Sequence, residues 1–127
     1  MKKTFLLLLL SVFVSGMAIA QSDYYMNRAK SYMNDAEYYT KRAESHEREA
    51  AWYSKKAEEY LREADYYAKH NNHDKSMMYS RWASEQYDKA KMQMKWASED
   101  REKAAMRMRW AQEAMEKASA EQRRQLR

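Results

Sequence analysis

The side chains able to do chemistry are few, and they cluster. His70-x-x-His73 runs straight into Met77 and Met78, and Met92-x-Met94 and Met106-x-Met108 stand just before Trp96 and Trp110. Imidazole and thioether are the donors that soft ions such as Cu(I) and Ag(I) select. Yet two methionines two apart on a helix point about 200° apart, so one helix cannot close both onto one ion. The methionines therefore read as packing groups. His70, His73, Met77 and Met78 remain the only candidate metal ligands, and no resident cofactor is expected. Catalysis has less to work with. There is no cysteine nucleophile, no HExxH and no glycine-rich phosphate loop, and the single glycine is Gly16. Adjacent carboxylates such as Glu58 and Glu59 read as solvated helix charges. The chain is expected not to be an enzyme.

The two ends differ in kind. Lys2 and Lys3 precede an apolar run from Phe5 to Val14, and Ala18-Ile19-Ala20 forms a small-x-small cleavage site. This pattern predicts a signal peptide over 1–20, too short to span a bilayer, and a mature chain of 21–127. The expected location is the periplasm, the cell surface or the medium. Every Phe, Val and Ile lies within those first twenty residues. Beyond them the apolar side chains are Ala, Tyr, Met and Trp, with only Leu61 and Leu126 besides. A β-sheet core is excluded by that composition, and no further run is apolar enough to cross a membrane. Without Lys2 and Lys3, the 24 basic residues become 22 against 19 acidic ones, a net +3. So even a balance excludes a dedicated nucleic-acid binder.

What must position these groups is helix. Ala29, Ala36, Ala43, Ala50, Ala57 and Ala64 recur every seventh residue, and Ala83, Ala90, Ala97, Ala104, Ala111 and Ala118 do so again. Sevenfold spacing of a small residue predicts a seam along which two helices approach closely. The two series are out of phase: Ala64 to Ala83 is two heptads plus five, which on one unbroken helix swings the seam by about 100°. The expectation is an all-α, antiparallel two-helix coiled-coil hairpin, with helix 23–69, turn 70–74 and helix 74–125. A single long helix in an oligomer is the other arrangement considered. Ser22 or Asp23 is expected to cap the first helix, and Asn72 or Asp74 the second.

Large residues flank the seams. Tyr25, Tyr32, Tyr39, Tyr53 and Tyr60 stand four before their alanines, and His46 takes one such place. In the second arm Tyr87, Met94, Met108 and Met115 stand four after theirs, and are expected to complete the seam. A fourteen-residue ladder is superimposed: Tyr24, Tyr38, Trp52 and Tyr66 in one arm, and Met78, Trp82, Met92, Trp96, Met106 and Trp110 in the other. Between its rungs Glu85–Lys89, Glu99–Lys103 and Glu113–Lys117 form i,i+4 pairs. The ladder lies well off the alanine seam, so it is expected to be an outward assembly face that a second copy covers.

The alanine rows resemble those of alanine-rich antiparallel coiled coils and of the alanine-zipper proteins of bacterial envelopes. That resemblance implies close helix packing and oligomerisation. Ser119 to Leu126, SAEQRRQL, resembles the end of the LTxxQ-motif periplasmic stress proteins, which include Spy-like chaperones. This second resemblance implies a helical binding protein for unfolded clients or other envelope components. The primary expectation is an exported structural or interaction protein that forms a homo-oligomer. The alternative is a periplasmic binding protein, either a chaperone or a Cu(I)/Ag(I) carrier.

Overall fold

The computed structural model describes the backbone of residues 2–126 and the side chains of residues 20–126. Two helices, α1 (Lys2–Lys69) and α2 (His73–Gln125), pack against each other as a hairpin. No strand occurs among the described residues. Apart from Ala20, the side chains of the expected signal segment lie outside the described residues. The helix boundaries differ from the sequence expectation at both starts. α1 runs on toward its N-terminus through Ser22 and Asp23 as far as Lys2. Ser22 therefore caps nothing. It stands seven before Ala29, takes a place in the buried row, and donates its hydroxyl to the Ala118 carbonyl (3.4 Å).

The bend is shorter than expected, and its hydrogen bonds explain why. Asn71 adopts the left-handed conformation (φ 59°) that asparagine tolerates better than most residues. The Asn72 amide donates to the Tyr67 carbonyl (2.8 Å) and the Asn71 amide to that of Ala68 (3.2 Å). This crossed pair satisfies the orphan carbonyls at the end of α1. Asn72 then turns acceptor: its Oδ1 takes the Lys75 amide (3.2 Å), which makes it the N-cap of α2. Helix thus resumes at His73, and Asp74 lies in its first turn, where an acid suits the helix dipole.

The chain divides into an outer unit, Met1–Tyr38 with Ala104–Arg127, and an inner unit, Tyr39–Lys103. In each, the twelve-alanine series supplies the buried row. Ala29, Ala36, Ala111 and Ala118 are buried in the outer unit with Ala104 and Ala114, and Ala43, Ala50, Ala57, Ala64, Ala83, Ala90 and Ala97 in the inner. No large side chain among the described residues is fully buried. Such a seam draws its stability from close backbone approach and from whatever covers its flanks. Among the described residues no helix is long and apolar enough to cross a membrane.

Candidate functional site

The groups beside the alanines decide what each unit presents. In α1 the residue four before each alanine of the row is half-buried: Tyr25 and Tyr32 in the outer unit, and Tyr39, His46, Tyr53 and Tyr60 in the inner, where Tyr67, seven further on, is half-buried too. In α2 the half-buried row is three after each alanine, not four. It holds Gln86 and Gln93 in the inner unit and Arg107 and Glu121 in the outer, with Asp100 and Ala114 of the same row buried. Tyr87, Met94, Met108 and Met115, expected in that place, stand 37–51% exposed. Positions three and four beyond an alanine lie on opposite sides of it, so apolarity alone suggested the wrong side.

The tryptophans explain the choice. Each stands one before an alanine and closes against a ring of α1. Trp82 meets Tyr60 at 5.7 Å and Trp96 meets His46 at 5.6 Å in the inner unit. Trp110 meets Tyr32 at 5.7 Å in the outer. Trp82, Trp96 and Trp110 were expected to look outward for assembly, but all three are used within the hairpin. An indole is long enough to reach across the pair from a flanking position, and edge-on ring contacts reward it. The intervening lysines behave alike. Lys75, Lys89 and Lys103 lie over Tyr67, Tyr53 and Tyr39 at 5.0, 5.8 and 5.6 Å, and Lys117 lies over Tyr25 at 5.8 Å. These cation–π contacts take the place of the expected pairs of Lys89, Lys103 and Lys117 with Glu85, Glu99 and Glu113. Each seven-residue step forward in α1 is a seven-residue step back in α2, and the facing group alternates between indole and ammonium.

The rest of the expected assembly face is more open. Tyr24, Tyr38, Trp52 and Tyr66 are 53–58% exposed, Met92 and Met106 are about half exposed, and Met78 is half-buried. Trp52 rests on Tyr53 (5.1 Å) and Tyr66 on Tyr67 (5.2 Å), both neighbours on the same helix. Tyr79, which the sequence reading passed over, stacks on Tyr67 (5.5 Å, 4°) and edges onto Trp82 (5.2 Å). Its signal was available: Tyr79 stands four before Ala83, as the α1 tyrosines do before theirs.

One polar cluster interrupts the inner unit. Asp100 is 3% exposed, and its Oδ2 accepts no hydrogen bond among the described residues. The Arg42 guanidinium faces it instead, with Nε at 3.5 Å, and His46 Nε2 also lies at 3.5 Å. His46 Nδ1 meets Gln93 Oε1 at 2.7 Å. On the other side of the seam, Arg101 grips Glu47 with both ends of its fork, Nε to Oε1 at 2.6 Å and Nη2 to Oε2 at 2.9 Å. That bond holds the Glu47 carboxyl below its usual range and raises Arg101. A one-heptad slip would strand Asp100 away from Arg42 and His46, so the cluster specifies register.

Of the candidate metal ligands, His70, His73 and Met77 are exposed and Met78 is half-buried. His70 stacks on Tyr66 (4.1 Å), and its Nδ1 lies 2.8 Å from the Tyr66 carbonyl. Met77 points to solvent, 63% exposed. No group of three His, Cys, Asp or Glu side chains suited to a metal occurs among the described residues. In the outer unit, by contrast, Tyr24, Tyr25, Tyr32 and Trp110 wall a cavity of about 440 Å³ beside Arg28 and Lys117. Arg28 donates from Nη1 to the Tyr24 hydroxyl (3.1 Å) and from Nη2 to that of Tyr32. The Tyr32 bond, then the Tyr24 bond, raise the guanidinium above its ordinary value. The geometry therefore presents aromatic and cationic surface. No family model, curated protein or solved structure matches the chain.

Proposed function

We propose that the protein is an exported, non-enzymatic structural or interaction protein whose hairpins associate with one another through side-by-side helix packing. One observation carries this reading: the buried set is alanine with Ser22 and Asp100, while Trp52, Tyr24, Tyr38, Tyr66, Tyr87 and most of the methionines remain substantially exposed. Apolar surface of this extent gains roughly 25 cal/mol per Å² when another helix covers it. Two faces are suited to that. One carries Tyr24, Tyr38, Trp52 and Tyr66. The other carries residues four beyond the buried row: Met26 (after Ser22), Met33, Met108 and Met115 in the outer unit, and Leu61, Tyr87 and Met94 in the inner. The export reading rests on residues 1–20.

Sedimentation of the purified protein across a concentration series tests the assembly. The expected result is a mass several times that of one chain, growing with concentration. A single-chain mass throughout overturns it.

A second reading draws on the methionine face. Thioether side chains adapt to irregular apolar partners, as a holdase for unfolded envelope proteins requires. This protein would then stay small and suppress the aggregation of a reduced, unfolding client.

A further inference from the structure

Because the sequence repeats every fourteen residues, the inner and outer units hold corresponding sets of side chains. One step toward the termini takes Tyr39, Arg42 and His46 to Tyr25, Arg28 and Tyr32. The same step takes Trp96, Asp100 and Lys103 to Trp110, Ala114 and Lys117. In the inner unit the Arg42 guanidinium lies 3.5 Å from the Asp100 carboxylate, beside the Trp96–His46 ring pair. In the outer unit Ala114 stands where that carboxylate would be, and the cavity of about 440 Å³ opens there.

Arg28 is left with a fixed guanidinium and no acid. Its two tyrosine hydroxyls hold it in place, and it has no carboxylate partner among the described residues. A guanidinium has five donors, so three remain. Lys117 adds a second positive charge at the rim, against the single acid Glu113. Four aromatic rings form the walls. The volume falls within the roughly 300–1,000 Å³ typical of small-molecule sites.

We infer that this cavity binds a small aromatic carboxylate, whose acid group takes the place under Arg28 that Asp100 takes under Arg42. Its ring lies among Tyr24, Tyr25, Tyr32 and Trp110, where offset and edge-on contacts favour an aromatic over an aliphatic acid. Arg28 supplies a bidentate, charge-assisted grip.

Isothermal calorimetry on the full-length protein with naphthoate tests this. Saturable binding at one molecule per chain is expected. Naphthamide, which lacks the charge, and cyclohexane carboxylate, which lacks the ring, should each bind at least about tenfold more weakly. A114D places the Asp100 carboxylate under Arg28, and A114Q places the Gln86 amide there; α2 already carries both residues at corresponding positions. Both should abolish naphthoate binding with helicity intact, and A114D should raise the melting temperature. R28Q should weaken naphthoate at least about tenfold and leave naphthamide unchanged. If A114D does not fold, A114Q and R28Q decide the matter. Absence of saturable binding to the native protein overturns the inference. Equal binding by A114Q and R28Q also overturns it, by placing the ligand elsewhere. The site does not depend on assembly: a single-chain protein that binds naphthoate retains it.

Discussion

Replacing Trp96 with alanine is expected to weaken the helical pair itself, with a cost that follows from its setting. Trp96 is 40% exposed, so three-fifths of it is covered. A tryptophan brings at most about 250 Å² to burial, so roughly 150 Å² is covered here. At about 25 cal/mol per Å² that is an upper bound of about 4 kcal/mol. Compaction of the unfolded chain removes some 10–40% of it, leaving about 2.5–3.5 kcal/mol. For a domain of this size the melting temperature should fall by roughly 10–25 °C. Trp52 is the control. It is 58% exposed, and its ring contact is with Tyr53 on the same helix. Trp52→Ala should therefore cost less, about seven-tenths as much by the same arithmetic. Melting both variants by circular dichroism at two protein concentrations separates the cases. Equal melting temperatures would refute the reasoning. So would a Trp96→Ala deficit that disappears at high concentration, because the indole would then act between chains.

Two further outcomes follow from the seam and its charged flank. Ala43 and Ala97 are 0% and 1% exposed, so Ala43→Leu or Ala97→Leu should force the helices apart and cost about 1–3 kcal/mol; unchanged melting would remove the seam assignment. Glu47 has a lowered folded pKa because Arg101 hydrogen-bonds its charged form. Its contribution is therefore present above the ordinary carboxylate range and is lost as pH falls through the lowered value. Glu47→Gln should flatten that part of the acid limb in urea midpoints measured across pH, and salt should shrink the difference. Parallel acid limbs in the two proteins would argue against the pairing.

Much of this architecture is legible in the residues alone. The alanine rows needed only a period of seven. The phase jump between Ala64 and Ala83 located the bend, and Asn71 and Asn72 supplied a residue for left-handed geometry and a cap. The candidate site was less legible. His46 was readable as a polar substitute in a tyrosine column, but its partners Asp100 and Gln93 were not. They sit three beyond an alanine, on a side that a hydrophobicity count gives no reason to prefer. The cross-helix ring contacts of the tryptophans were hidden for a related reason. Angular distance from the seam says where a side chain starts and not how far it reaches.

Composition and periodicity alone determined that the chain is helical, that its buried row is alanine, and that it folds back near His70. Those follow from local propensity and from the 3.6-residue turn, which act at short range along the sequence. Only the tertiary structure decided which side of each alanine faces the partner, that Trp and Lys alternate over the rings of α1, and that Ala114 leaves Arg28 above a cavity. Each of these depends on the register between two distant segments. That register is chosen by contacts among many side chains at once, so no single stretch of sequence carries it.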